Sequence, residues 1–151
     1  MAGRSTFDVL VDPGTGTVAT IAAAAEAVGF DALCLGETNH DPLVLLAAAS
    51  QATADIELTT SILVAFARSP MVTATAANDV QVLAGGRLRL GLGSQVRAHI
   101  TRRFAMPWSR PAARMREYVH ALHAIWDAWE NGTRLAFDGE FYRSEEHTSE
   151  L

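Results

Sequence analysis

The sequence predicts an α/β fold in which parallel strands alternate with helices. Short apolar strands precede helical segments four times along the chain, and three of the helices open at a proline that follows a polar residue. The strands are continuous apolar runs, as is typical of strands covered by helices on both faces. Because the four strand–helix units are nearly even in length, they favour the N-terminal half of a (β/α)8 TIM barrel over an open doubly wound sheet.

The first two units occupy the beginning of the chain. Phe7–Val11 is a short apolar strand that ends at the turn DPG, and an alanine-rich helix follows up to Gly29. DALCLGE predicts the second strand, after which Asp41 and Pro42 supply a capping residue and a first-turn proline for the next helix. The stretch DPGTGTVAT lacks the glycine-rich fingerprint that a dinucleotide-binding fold needs after its first strand.

The next two units follow the same order. IELTTSILVAF predicts a third strand rich in β-branched residues, and Ser69 with Pro70 then repeats the cap-and-proline start of a helix. RLRLGLGS predicts the fourth strand, and RLAFDGEFY predicts two short strands around a turn. Between them, Pro111 opens a helix with one apolar face, formed by Met115, Tyr118, Leu122, Ile125 and Trp129.

Composition narrows the classes of partner and compartment. Hydrophobic residues make up 49% of the chain and charged residues 19%, which argues for a packed core and against disorder. A net charge of −5 gives no reason to expect nucleic acid or an anionic membrane as partner. Cys34 is the single cysteine, which excludes an internal disulfide and fits the reducing cytosol. With no signal peptide and no apolar stretch long enough for a bilayer, we expect a cytoplasmic protein.

From Gly29 to Tyr142 the sequence resembles the luciferase-like flavin and deazaflavin oxidoreductases. The resemblance is carried by GFDALCLGET, DPLVLLAAASQAT, IELTTSILV, DGEFYR and, most specifically, SPMVTATAANDVQVLAGGRLRLGLGSQ. It is strongest to members that use coenzyme F-420, an 8-hydroxy-5-deazaflavin. The resemblance implies hydride transfer between coenzyme F-420 and a small organic substrate. An FMN-dependent monooxygenase is the alternative.

The family resemblance also implies a complete barrel of roughly twice this length. We therefore expect residues 1–142 to be a partial barrel domain of a parent protein, which itself is expected to form a homodimer. Residues 143–151 match a translation of the start of a widely used sequencing-library adapter, which predicts a non-native tail without regular structure, where His147 carries no chemistry. We expect the isolated chain to self-associate and to show no turnover.

Two residues after the second strand are the catalytic candidates. In a barrel, catalytic groups lie at the carboxyl ends of the strands, and the resemblance implies an acid–histidine pair there that contacts the cofactor and donates a proton. Glu37 matches the acid, but Thr38 stands where the histidine would be. His40 lies two positions later, and an imidazole with a pKa of about 6.5 suits proton exchange. The alternative is a solvated loop in which Asp41 caps a helix.

The cofactor-binding candidates follow the third and fourth strands. The resemblance implies a cis peptide bond between Ser61 and Ile62 that lies behind the flavin ring, where the alternative is a plain strand. In the segment GLGSQVRAH, the resemblance matches Ser94 and Gln95 to family positions that contact the cofactor. It matches His99 to a family position that contacts the cofactor through an amide side chain. The residues alone leave open a glycine pair that serves close packing.

The loop after the fourth strand also bears on the substrate. Val96 stands where relatives that oxidise sugar phosphates have an acidic residue, which argues against that substrate. Arg97, Arg102 and Arg103 either meet an anionic cofactor tail or are exposed arginines beside the loop. Trp108 either forms a wall of a substrate pocket or covers the barrel rim. The sequence contains no metal-like cluster of ligands, so no metal is predicted.

Overall fold

The structure, a computed structural model, describes residues 6–146. The chain divides into two compact units: one contains residues 6–63 and 77–92, and the other contains residues 64–76 and 93–146. Strands and helices alternate along the chain in the predicted order. Among the described residues, no helix combines the length and apolar character that crossing a bilayer requires.

A four-stranded parallel sheet forms the centre of the first unit. Its order is β1 (Asp8–Val11), β2 (Ala32–Leu35), β3 (Glu57–Thr60) and β5 (Leu88–Arg89). All three strand pairings are parallel, which requires the crossover connections that the helices provide. The central strand β2 is largely buried, whereas β1 lies at the edge of the sheet with every other residue exposed.

The first helix of this unit ends and the second begins where the sequence predicts. Helix α1 (Val18–Val28) ends at Gly29, whose left-handed conformation (φ of 94°) lets its N–H reach the carbonyls of the last turn. Helix α2 (Pro42–Ser50) begins after Asp41, whose carboxylate accepts a hydrogen bond of 2.9 Å from the N–H of Leu43. Both predicted helix boundaries are therefore confirmed.

The structure divides each of the third and fourth predicted strands into two, and in the third the break falls at Ser61 and Ile62, where the resemblance implied a cis peptide bond. The chain leaves the parallel sheet after β3 and after β5, and two short strands, β4 (Leu63–Val64) and β6 (Leu92–Gly93), pair with each other. The reason is a change of partner: the N–H of Ser61 bonds to Leu35 O at 2.7 Å, but the N–H of Leu63 bonds to Gly91 O at 2.9 Å.

The second unit is built around a long helix. Helix α4 (Pro111–Asn131) packs the predicted apolar face inward, with Tyr118, Leu122 and Ile125 buried. Helix α3 (Pro70–Leu83) begins in this unit, where the Ser69 hydroxyl accepts a hydrogen bond of 3.3 Å from the N–H of Val72. The loop before α4 contains a short π-helix, His99–Arg103, which was not predicted.

An antiparallel hairpin follows α4, and its position shows that one prediction about residues 143–151 was wrong. Its strands are β7 (Leu135–Asp138) and β8 (Arg143–Glu146), so the second strand lies in residues that were expected to have no regular structure. Backbone pairing and polar contacts form this strand, including a 2.9 Å bond from Trp129 Nε1 to a Glu146 carboxylate oxygen. Residues 147–151 lie outside the described residues, and the adapter origin of the tail stays a prediction.

Each unit contains a glutamate that binds three consecutive backbone N–H groups. In the first unit, Glu26 on α1 accepts hydrogen bonds from residues 54, 55 and 56, the shortest being 2.7 Å. In the second unit, Glu117 on α4 accepts them from residues 140, 141 and 142, the shortest being 2.6 Å. Since each set would otherwise lack a protein partner, the carboxylate satisfies the whole turn at once.

These bonds make the ionised form of Glu26 the favoured one. The N–H of Ile56, and then that of Asp55, hold the pKa of Glu26 below its ordinary value of 4.5. A group whose pKa is lower in the folded state stabilises the fold above its unfolded pKa, and this contribution is lost as the pH falls through the folded value.

We predict that Glu26→Gln lowers the free energy of unfolding at pH 7 by about 1 kcal/mol, a modest loss because the carboxylate remains partly in contact with water. Urea unfolding between pH 3 and pH 7 measures it, and the difference from wild type should shrink at the acidic end. Glu130→Gln, an exposed change on α4, is the control and should change little. Equal losses in both variants would contradict the prediction.

Candidate functional site

The carboxyl ends of β2 and β3 bring two of the predicted site segments together. Because the strands are parallel neighbours, the residues that follow them lie at one edge of the sheet. The N–H of Glu37 bonds to the carbonyl oxygen of Ile62 at 3.1 Å. The Ser61–Ile62 peptide bond is cis, as the resemblance implied. A Cβ atom on Gly36 would lie 3.2 Å from the Ser61 carbonyl oxygen, so the two segments approach closely.

Thr38 and His40 occupy the loop between β2 and α2. Thr38, which stands at the position of the family histidine, donates a hydrogen bond of 2.8 Å to the carboxylate of Asp12 at the end of β1. His40 is half-buried directly before the capping residue Asp41, and Glu37 is half-buried as well. The loop thus carries a carboxylate and an imidazole three residues apart. Their joint action as acid and proton donor stays a prediction.

The end of β3 is held to the β5–β6 link by a single threonine. The hydroxyl of Thr60 bonds to both the carbonyl oxygen and the N–H of Gly91, at 2.7 and 2.8 Å. The backbones are so close that a Cβ atom on Gly91 would collide with the Thr60 carbonyl oxygen. Sequence reasoning missed this contact, although a glycine between two short apolar runs was the available signal.

The predicted cofactor contacts after β6 lie in the second unit. Ser94 and Gln95 are half-buried, and the Ser94 hydroxyl donates to the backbone oxygen of Gln95 at 3.2 Å. Gln95 adopts a left-handed conformation with φ of 59°. The ring nitrogen Nδ1 of His99 lies 3.2 Å from the side-chain oxygen of Gln95. The structure therefore groups these three residues, and their contact with a cofactor stays a prediction.

Sequence reasoning also missed a buried arginine in the second unit. Arg114 is only 6% exposed; its Nε donates to the Tyr142 hydroxyl at 2.7 Å and its terminal nitrogen to the Pro107 carbonyl at 2.6 Å. The guanidinium lies 4.4 Å from the ring centre of Phe66. Trp108, next to Pro107, packs edge-on against Phe66, with 5.7 Å between ring centres. Arg114 therefore holds the segment that carries Trp108.

The position of Arg114 was readable from helical spacing. It lies one turn before Tyr118 on the buried face of α4, where a charged residue is unusual. Tyr118 itself is fully buried, and burial raises its pKa to about 12. Its hydroxyl lies 2.5 Å from that of Thr73 and donates to the Ser69 carbonyl at 3.2 Å. These tyrosine and arginine contacts are built for packing and not for proton transfer near neutral pH.

Metal and thiol chemistry receive no support from the described part of the chain. Within residues 6–146, no group of three histidine, cysteine, aspartate or glutamate side chains is arranged to hold a metal ion. Burial raises the pKa of Cys34, which keeps the thiol protonated near neutral pH.

Parallel strands joined by helices, with polar loops after their carboxyl ends, define an α/β protein of the TIM-barrel class. The profile of the luciferase-like monooxygenase family matches residues 6–150. The chain belongs to this family, whose members are oxidoreductases or monooxygenases.

Two curated relatives show how much of a family member the chain represents. An uncharacterised protein of Mycobacterium tuberculosis is 49% identical over 141 residues, which cover 93% of this chain and 42% of that protein. An F420-dependent glucose-6-phosphate dehydrogenase of Mycobacterium avium is 33% identical over 138 residues, covering 82% of this chain and 40% of the relative. The chain therefore spans less than half the length of the curated relatives it matches.

A solved structure confirms the fold class. The oxygenating constituent of 3,6-diketocamphane monooxygenase from Pseudomonas putida, in complex with FMN, aligns with a TM-score of 0.80 and 17% identity. The alignment covers 95% of this chain and 45% of that one. At this identity the likeness shows the fold alone, which is the α/β fold of luciferase-like TIM-barrel enzymes.

We predict that Gly91→Ala lowers the free energy of unfolding by about 1–3 kcal/mol, because the added methyl group would force Thr60 and β3 apart. Chemical unfolding measures the change. Gly14→Ala is the matched control, since a Cβ atom at Gly14 meets nothing within 4 Å. Indistinguishable stabilities of the two variants would show that the close approach is easily relieved.

We predict that Arg114→Ala costs about 3 kcal/mol of unfolding free energy, because it removes two hydrogen bonds and the packing on Phe66 and Tyr142. Arg116→Ala, an exposed change on the same helix, should stay within about 0.5 kcal/mol of wild type. Thermal unfolding followed by tryptophan fluorescence tests both. A small effect of Arg114→Ala would remove its assigned role in holding Trp108.

Proposed function

We propose that the chain is part of an oxidoreductase that transfers a hydride between coenzyme F-420 and a small organic substrate. The observation that carries this proposal is the backbone bond between Glu37 and Ile62, which places a carboxylate-bearing loop beside the end of β3. The relative named as an F420-dependent dehydrogenase, with 33% identity, supports the choice of cofactor. The single cysteine supports a location in the reducing cytosol.

The residues at this edge fit a planar ring with polar margins. Ser61 is exposed at the end of its strand, so its hydroxyl is open to a ligand, and Glu37 is half-buried beside it. Gly36 has no side chain to fill the space next to the Ser61 carbonyl. When bound there, the deazaflavin would supply the hydride chemistry.

Each residue then has a distinct role in the proposal. Glu37, Ser61 and the backbone of Ile62 bind and orient the ring. His40 donates or accepts a proton at its imidazole.

The second unit also contains residues that we propose bind the cofactor. Ser94, Gln95 and His99 offer a hydroxyl, an amide and an imidazole, and the bond between Gln95 and His99 fixes the orientation of the two longer side chains. Val96 between them is 55% exposed and brings no charge. We propose that these residues bind the cofactor and that the substrate is not a sugar phosphate.

An FMN-dependent monooxygenase is the second candidate. The observation that favours it is the fold likeness to a monooxygenase solved with FMN. The two candidates differ in the cofactor, because a deazaflavin lacks the ring nitrogen whose neighbouring carbon forms a flavin peroxide. Cofactor binding therefore separates them.

We predict that the chain binds coenzyme F-420 more tightly than FMN, and that Glu37→Gln weakens coenzyme F-420 binding about tenfold through the loss of one charged contact. Cofactor fluorescence titrations measure both, and Glu130→Gln is the control that should bind like wild type. FMN binding without deazaflavin binding would select the monooxygenase. Binding of neither cofactor would contradict the proposed site on this chain.

A further inference from the structure

Positive charge is concentrated in one stretch of this acidic chain. The chain has twelve arginines and seventeen acidic residues. No acidic residue occurs between Asp79 and Glu117, yet eight of the twelve arginines do. Such a distribution in a protein of net charge −5 creates a local positive potential that attracts anions.

The fold itself uses four of these eight arginines. Arg87 donates to backbone carbonyls of the first unit, including that of Ile56 at 2.9 Å, and Arg89 forms a 2.6 Å ion pair with Glu57. Arg110 pairs with Glu140, and Arg114 is buried against aromatic rings. These charges have structural partners, so they need no ligand.

Two arginines beside the predicted cofactor loop have no such partner. Arg97 and Arg102 are exposed, and no acidic side chain among residues 6–146 forms an ion pair with either of them. Arg103 follows directly, and its guanidinium lies 5.3 Å from the ring centre of Phe104. Arg97 and Arg102 therefore lie together in one short segment after β6, next to the predicted cofactor contacts.

That segment is held in a defined conformation. Ile100 is fully buried and anchors the π-helix, while its carbonyl oxygen accepts a bond of 3.0 Å from the N–H of Met106. The hydroxyl of Thr101 donates to the carbonyl of Arg97 at 2.9 Å, which puts Arg97 and Arg102 about one helical turn apart. A fixed backbone reduces the entropy lost when both guanidinium groups bind one ligand.

We propose that residues 95–103 form a binding site for a small molecule bearing a phosphate or carboxylate group, with Arg97 and Arg102 as its charged contacts. Guanidinium groups suit this role because their planar N–H pairs match the two oxygens of such an anion. Gln95 lies two residues before Arg97, His99 lies between the two arginines, and both add polar contacts. The proposal deepens the proposed function, on which it rests for the identity of the ligand.

The anionic group has two sources: the acidic tail of the cofactor or the substrate. Coenzyme F-420 carries phosphate and glutamate groups, whereas the deazaflavin without that tail has none. Comparing the two ligands isolates the contribution of the tail. Inorganic pyrophosphate isolates the anion without any flavin ring and so tests the site independently of the proposed function.

The experiment measures pyrophosphate binding to the whole chain by phosphorus NMR at low salt, together with coenzyme F-420 and tail-free deazaflavin titrations. We expect the double variant Arg97→Gln, Arg102→Gln to weaken pyrophosphate binding at least about tenfold, the effect of losing a charge-assisted contact. Arg116→Gln with Arg134→Gln removes the same charge elsewhere and should leave binding unchanged. Circular dichroism of both variants checks that they are folded.

The possible results distinguish failure of the proposed anion site from failure of the proposed function. If the double variant lowers the affinity for coenzyme F-420 but not for tail-free deazaflavin, the site takes the cofactor tail. If it weakens only pyrophosphate binding, the site takes the substrate anion. Arginine-dependent pyrophosphate binding without any deazaflavin binding would keep the anion site and overturn the proposed function. Unchanged pyrophosphate binding in the double variant, equal loss in the control variant or no binding by wild type would overturn the anion site.

Discussion

The hydrogen bonds between the Thr60 hydroxyl and Gly91 position the candidate site of the first unit. One hydroxyl satisfies both backbone groups of the glycine, at 2.7 and 2.8 Å, at the point where β3 ends. Because β3 is fixed there, the chain can turn away at Ser61 and present Ile62 to the N–H of Glu37. Packing of backbone against backbone therefore sets the position of the polar loop, and a side chain at position 91 would disturb it.

In the second unit, the buried side chain of Arg114 holds neighbouring segments together. Arg114, itself buried, contacts a carbonyl, a tyrosine hydroxyl and an aromatic ring face through one guanidinium. Burying a cation without a carboxylate is costly, so its hydrogen bonds must compensate. The hydrogen bond from Arg114 to the Pro107 carbonyl connects the loop that carries Trp108 to helix α4. The candidate site residues Glu37, His40 and Ser61 of the first unit, in contrast, are exposed or half-buried.

Much of the fold was readable from the sequence, and the reasons are local. Asp41 before Pro42 and Gly29 after an alanine-rich run specify helix boundaries through capping chemistry alone. The interruption of the third strand was not readable from propensity, because TTSILV is uniformly favourable for a strand and the change of partner depends on Gly91, thirty residues away. The strand at residues 143–146 was missed because polar residues carry no apolar alternation.

Some parts of the candidate site could likewise be located from the sequence, and others could not. The resemblance located Glu37, Ser61 and Ile62, and the structure then connected Glu37 with Ile62 through one backbone bond. No pattern in the sequence pointed to the bond between Thr38 and Asp12, since twenty-six residues separate them and both are common in loops. Arg114 was different: its spacing from Tyr118 was visible in the sequence, but no role was predicted for it.

The carboxylate of Glu117 has a consequence for how this protein can vary over time. It recognises three successive amide groups and no side chain, so it restrains the main chain of residues 140–142 whichever side chains stand there. Any amino acid except proline offers the same N–H. Exchange of Tyr142 or Glu140 would therefore give up their contacts with Arg114 and Arg110 but would leave the hydrogen bonds of the turn in place.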